Sequence, residues 1–215
     1  MVSKDVWEKH WDNIYSGYRF PEQSLYEFLM SHPNKSREIR KALYLGVGNG
    51  RDIPVLTTLG YYVTAVDISK EAVERANQFF YDIRIDKLAG AHEGVFEHLI
   101  SRDDYFDLAV DIRSVMHQSR DGVINAVKEV SRVLKPDGLF FSVMKTPMDA
   151  LFGEGEEIGR NTFIHPRFGE IFFPCHAEIP NIFASFSEVC VGTETRNISG
   201  TPKDRWSHWL ITARK

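Results

Sequence analysis

Ala42-Leu43-Tyr44-Leu45-Gly46-Val47-Gly48-Asn49-Gly50-Arg51-Asp52 runs from a short apolar segment into a glycine cluster and then into a helical pattern lasting to about Leu59. Four apolar residues ahead of glycines are strand-sized, and Gly60 stands where a left-handed helix C-cap is expected. Tyr61 to Val66 reads as a second strand ending in Asp67. Ser69 then caps a helix whose Glu71, Ala72, Val73, Ala76 and Phe79 are spaced for one buried face. A third strand is expected over Lys87 to Ala91, and a fourth, bounded by charges, over Phe106 to Asp111. Asp121-Gly122 opens a helix carrying Val123, Val127, Val130 and Leu134, and Lys135-Pro136-Asp137-Gly138 turns into a fifth strand, Leu139 to Met144. Ile179 to Phe186 reads as a last helix, followed by closing strands near Glu188 to Thr195 and Ser207 to Ala213. Strands alternating with helices in this way predict an α/β fold, a doubly wound sheet with parallel strands. Only 147–174, rich in glycine and aromatics, has no clear period.

Composition narrows the function. The 215 residues hold 26 Lys and Arg against 30 Asp and Glu, a formal net charge of −4, with no basic run to grip a phosphate backbone. No nucleic-acid partner is expected. A single domain of this length buries about 70% of the surface its unfolded chain exposes and needs no metal or disulfide staple. Cys175 and Cys190 make neither a disulfide framework nor a zinc cluster, and His165 and His176 beside Cys175 match no ligand spacing, so no metal is expected. The charged, aromatic amino terminus has no apolar stretch of signal length, and apolar runs elsewhere are strand-sized. The expectation is one cytoplasmic domain over 1–215 with no membrane partner.

The glycines carry the chemistry. A turn without side chains lets a ligand reach backbone amides at a helix start, and in open α/β sheets the ligand crevice lies at the carboxyl ends of the strands. The spacing is G-x-G-x-G with Arg at 51, which departs from the G-x-G-x-x-G of dinucleotide sites. Asp67, seventeen residues after Gly50 at a strand end, is placed to accept both hydroxyls of a ribose.

The run Leu45 to Asp52 followed by Val63-Thr64-Ala65-Val66-Asp67-Ile68-Ser69 resembles the first two motifs of class I S-adenosylmethionine-dependent methyltransferases. Phe106 to Val110 and then Glu129 to Leu139 resemble the same family's fourth strand, its following helix and its fifth strand, so the likeness covers roughly 5–146. It implies a Rossmann-like seven-stranded sheet, mostly parallel with an antiparallel C-terminal strand and helices on both faces. S-adenosylmethionine is the implied cofactor. Gly46, Gly48 and Gly50, with Asp52 in the same loop, would face its methionine and ribose portion. Asp67 would hold the ribose, Ile68 would pack on adenine, and Asp111 would lie next to the methionine end. Ala91 sits where the family often has an acid, which leaves the adenine contact to a backbone group, His92 or Glu93.

Methyl transfer needs alignment and dehydration more than chemistry from the protein. Where the acceptor must lose a proton, His117 and Asp111 are candidate bases and Arg113 a candidate anion anchor. Trp7, Trp11 and Tyr15 recur at helical spacing, which predicts a lid within 1–30. The 147–178 insertion is the second expected cover, with Arg160, His165 and His176 as its polar residues. The favoured acceptor is a small molecule. A protein-directed methyltransferase, a nicotinamide-dependent oxidoreductase and a non-catalytic cofactor-binding module are the alternatives on this fold.

Overall fold

In a computed structural model the protein is described over residues 4–13, 20–33, 40–197 and 199–215, with the backbone alone at 10–13 and 202. Helices α1 (Lys4–Asn13) and α2 (Gln23–Ser31) precede the first strand. Strand β1 (Arg40–Leu45), helix α3 (Ile53–Thr58), β2 (Tyr61–Asp67), α4 (Lys70–Asp82) and β3 (Ala89–Glu93) form the first half. Strand β4 (Phe106–Ile112), α5 (Arg120–Val133) and β5 (Leu134–Lys145) continue it. Three short strands, β6 (Glu156–Gly159), β7 (Thr162–His165) and β8 (Gly169–Phe172), come next. The chain closes with α6 (Ile179–Ile182), β9 (Glu188–Asn197) and β10 (Arg205–Arg214).

The main sheet has seven strands in the order β3-β2-β1-β4-β5-β10-β9. Five strands run parallel, and β10 inserts antiparallel between β5 and β9, so the expected antiparallel finish is a strand pair. Strand order reverses between β1 and β4, and beyond their carboxyl ends lies the place where a doubly wound sheet offers a crevice to ligands. One face packs Leu43, Phe106, Phe140 and Met144 against α5 and α6; the other packs Tyr44, Val63, Leu108 and Phe141 against α2, α3 and α4.

Local chemistry accounts for the element ends. The Ser69 side chain accepts the Ala72 amide and caps α4, as read from the sequence. On the buried face of α4 the last residue is Phe80, with Phe79 only partly buried, because the apolar face drifts by one position over three turns. Ser119 caps α5, whose helix begins one residue before the expected Asp121. Lys135 to Gly138 forms an irregularity inside one long β5, with Asp137 at φ 62° and the pairing with β4 shifting register there. The last helix is shorter than expected, Ile179–Ile182 after a 3-10 turn over His176–Glu178.

Two elements had no clear sequence signal. Helix α2 buries Leu25, Phe28 and Leu29, and Phe28 stacks on Phe141 at 4.5 Å. The 147–174 stretch folds as the three-stranded antiparallel sheet β6-β7-β8, fastened where the Phe172 amide donates to the Met116 carbonyl at 2.9 Å. The Trp209 indole donates to the Pro174 carbonyl at 2.8 Å, tying the following segment to β10.

Candidate active site

A cavity of about 610 Å³ opens at the carboxyl ends of β1, β2, β4 and β5. Gly46, Val47, Gly48, Asp67, Ile68 and Phe96 line one half; Lys145, Asp149, Phe168, Arg205, Trp206 and His208 line the other. Trp7 of α1 and the loop residues Arg113, Ser114 and His117 close it above.

The glycine loop works by close approach. Gly46 has φ 75°, and a Cβ there would fall 2.0 Å from the Ser114 hydroxyl, so the β1 and β4 loops touch only because position 46 lacks a side chain. The Gly48 amide donates to Asp67 Oδ2 at 3.0 Å, while Asp67 Oδ1 accepts from the Ser69 amide at 3.0 Å. These two bonds leave each carboxylate oxygen another acceptor site, enough for two ribose hydroxyls. Burial pushes the Asp67 carboxyl above the usual range, and the Ser69 and Gly48 amides only partly offset this. Gly50 differs from expectation. At φ 71°, its missing Cβ would meet the Phe80 ring at 2.9 Å, so it serves packing against α4 and does not line the cavity.

Helix α1 is fastened at this point. Glu8 accepts from the Lys70 amide at 2.8 Å, the Glu71 amide at 3.2 Å and the Ser69 hydroxyl at 3.1 Å, covering the helix start beside Asp67. Trp7 meets the His117 ring edge-on at 4.7 Å. The Trp11 side chain and Tyr15, also expected here, lie outside the described residues.

Several expected residues stand elsewhere. Asp111 is fully buried and does not line the cavity: Oδ1 accepts from the Ser114 and Val115 amides at 2.8 and 3.0 Å, and Oδ2 from the Ser142 hydroxyl at 2.7 Å. Burial raises its carboxyl to about 6 despite those bonds, and its part is to shape the loop that carries Arg113 and His117. Ala91 is buried beneath α4, its N–H and C=O both held by Asn77 at 2.9 Å. His92 lies on the opposite face of the strand in a separate groove. The strand ends at Glu93, two residues beyond the expected Ala91, because Ala-Gly-Ala offers no apolar pattern to fix its bounds. Glu93 pairs with Lys4 of α1.

Asp52 touches the cavity with both oxygens already engaged, by the Tyr44 hydroxyl at 2.5 Å and the Glu22 amide at 2.7 Å. Glu22, absent from the sequence reading, bridges Arg51 at 2.9 Å and Arg113 at 2.8 Å. Burial raises its carboxyl, but the two guanidiniums more than offset this and leave it below the usual range. Phe96, also missed, faces the cavity from the loop after β3. His165 binds Glu154 at 3.1 Å, and His176 packs on Trp209 at 5.5 Å; neither lines the cavity.

Residues 43–142 match the family described as Methyltransferase domain. A protein of Bacillus subtilis (strain 168) described as uncharacterized methyltransferase YcgJ is 33% identical over 115 residues, which are 54% of this chain and 44% of that protein. The chain therefore matches less than half the length of this curated relative. Among solved structures, a SAM-dependent methyltransferase of Methanosarcina mazei superposes with a TM-score of 0.70 at 21% identity, covering 86% of this chain and 96% of that one. Geranyl diphosphate C-methyltransferase of Streptomyces coelicolor A3(2) gives 0.71 at 14% identity, covering 98% and 97%. At those identities the structures establish the shared fold.

Proposed function

We propose that this chain is a class I S-adenosylmethionine-dependent methyltransferase that transfers the cofactor's methyl group to a small-molecule acceptor. One observation carries the reading: a single cavity of about 610 Å³ joins the Asp67 loop to a second, polar half, a volume suited to a cofactor end plus a small acceptor.

The residues fit the cofactor. The Gly46 and Gly48 backbone admits the methionine and ribose portion, Asp67 takes the ribose hydroxyls, and Ile68 and Phe96 flank the adenine. Bound there, the cofactor would supply a methyl group on a sulfonium, which an acceptor lone pair would take while the S–C electron pair stays on sulfur, leaving S-adenosylhomocysteine. His117 takes the proton of an acceptor that carries one and passes it to water, and Arg113, held by Glu22, orients the acceptor. Helix α1, within 1–30, acts as a lid, and 147–178 as a cover, within one domain over 1–215.

No helix among the described residues is long and apolar enough to cross a membrane. From the net charge of −4 and the lack of a basic run we propose a cytoplasmic protein with neither membrane nor nucleic acid as partner. Thermal shift with S-adenosylhomocysteine and NAD tests the cofactor: stabilisation by NAD alone would contradict the proposal. Methyl incorporation into protein in preference to small metabolites would contradict the acceptor class.

A further inference from the structure

We propose that the cavity wall formed by Arg205, Trp206 and His208 at the start of β10 is the acceptor subsite, and that it selects an anionic acceptor bearing a carboxylate or phosphate. The proposal rests on the methyltransferase reading and gives its acceptor a chemical class.

Charge on this half of the cavity is unbalanced. Arg113 and Lys145 are committed, to Glu22 at 2.8 Å and to Asp149 at 2.8 Å. Arg167, Lys203 and Arg205 also line the cavity, and none of the three has an ion pair with a described residue. Arg167 rests over the Phe168 ring at 5.2 Å. Of the acids beside them, Asp204 accepts from the hydroxyls of Ser199 and Thr201, and Asp149 holds Lys145 and the Ser207 amide. Three cations without an ion pair to a described residue around the cleft raise the local concentration of anions, and Arg205, half-buried among them, offers a planar fork matched to an oxyanion.

An independent observation comes from His208. Its side chain is 3% exposed and lines the cavity, and Nε2 has no hydrogen-bond partner. A buried ring nitrogen without a partner costs free energy that a ligand's polar group can recover. Burial, with Arg113 and Lys145 nearby, lowers its pKa to about 4, so the ring stays neutral and can serve as donor or acceptor according to tautomer. Trp206, 51% exposed, stands beside it with ring centroids 6.1 Å apart and has the Arg113 guanidinium 5.9 Å from its own centroid. That indole is a platform for the organic body of an acceptor whose anionic group reaches Arg205.

The test uses the whole protein saturated with S-adenosylhomocysteine, titrated calorimetrically with benzoate, phenyl phosphate and the neutral benzamide. At least one anion is expected to bind tenfold or more tighter than benzamide, and the tighter of the two names the anionic group. Arg205→Ala should weaken that anion about tenfold and Arg205→Lys less, while S-adenosylhomocysteine affinity in both variants reports an intact cofactor half. Equal binding of benzamide, no binding of either anion, or an unchanged anion affinity in Arg205→Ala would overturn the proposal. Failure of the wild-type protein to bind S-adenosylhomocysteine would instead overturn the reading beneath it.

Discussion

Glu8 on α1 accepts from the hydroxyl of Ser69 at 3.1 Å, two residues past Asp67, so the first helix is fastened to the loop after β2 by one carboxylate. The same carboxylate takes the Lys70 and Glu71 amides, where a negative charge at a helix amino terminus contributes about 0.3–1 kcal/mol. Burial raises the Glu8 carboxyl, but the Lys70 and Glu71 amides and the Ser69 hydroxyl more than offset this and leave it below the usual value. Its contribution is therefore present above the ordinary Glu value of about 4.3 and lost as pH falls through the lowered one. Glu8→Gln should change global stability by less than about 1 kcal/mol yet speed S-adenosylhomocysteine release several-fold. Stopped-flow release at wild-type rate would show that α1 is not a lid.

Asp67 carries opposite consequences for folding and binding. Because burial raises its pKa, its charge opposes folding, and this contribution to stability falls as pH rises from the ordinary Asp value of about 3.9 through the raised one. Cofactor affinity should rise over the same window, since the charged form accepts the ribose. Asp67→Asn should weaken S-adenosylhomocysteine about 10- to 100-fold, each charge-assisted bond being worth about 1.5–3 kcal/mol, with Tm unchanged or raised. Calorimetry showing wild-type affinity would remove Asp67 from the cofactor site.

Gly46 and Ser114 should be energetically coupled. Gly46→Ala places a Cβ 2.0 Å from the Ser114 hydroxyl and forces a side chain to φ 75°, so a loss of about 2–4 kcal/mol is expected. Adding Ser114→Gly removes the steric part and should restore about half. An additive double-mutant cycle by denaturant unfolding would contradict the contact.

Asp111 gives a pH signature separate from binding. Its carboxyl lies at about 6, raised by burial, so stability from this group is greatest below the ordinary value of about 3.9 and declines as pH rises to about 6. Asp111→Asn keeps an oxygen for the Ser114 and Val115 amides and sets an amide donor toward Ser142. It should flatten the pH dependence of Tm between about 4 and 6 while S-adenosylhomocysteine affinity stays within about twofold. A tenfold affinity loss would return Asp111 to the site.

Residues whose position follows from their own strand end were legible in the sequence. Gly46, Gly48, Asp67 and Ser69 announce a loop, an acid and a cap through local backbone rules, and the structure puts all four at one strand edge. His117, Arg113 and Ile68 likewise line the cavity. Residues defined by distant pairing were not legible. His208 faces Lys145 only through the antiparallel register of β10 on β5, and Glu22 matters only because α2 carries it to Arg51 and Arg113. Strands β6, β7 and β8 are four residues each, too short for a period to show. Asp111 misled because a strand-end acid reads the same whether it meets a ligand or its own loop.

Methyl transfer to a small molecule is tested directly by one assay. Purified protein is given S-adenosylmethionine labelled in the methyl group together with a pool of low-mass metabolites, and label and S-adenosylhomocysteine are both quantified. Label should accumulate in the low-mass fraction in step with S-adenosylhomocysteine, and only when the pool is present. Tight binding of S-adenosylhomocysteine with no transfer of label, or label recovered solely in protein, would contradict the claim.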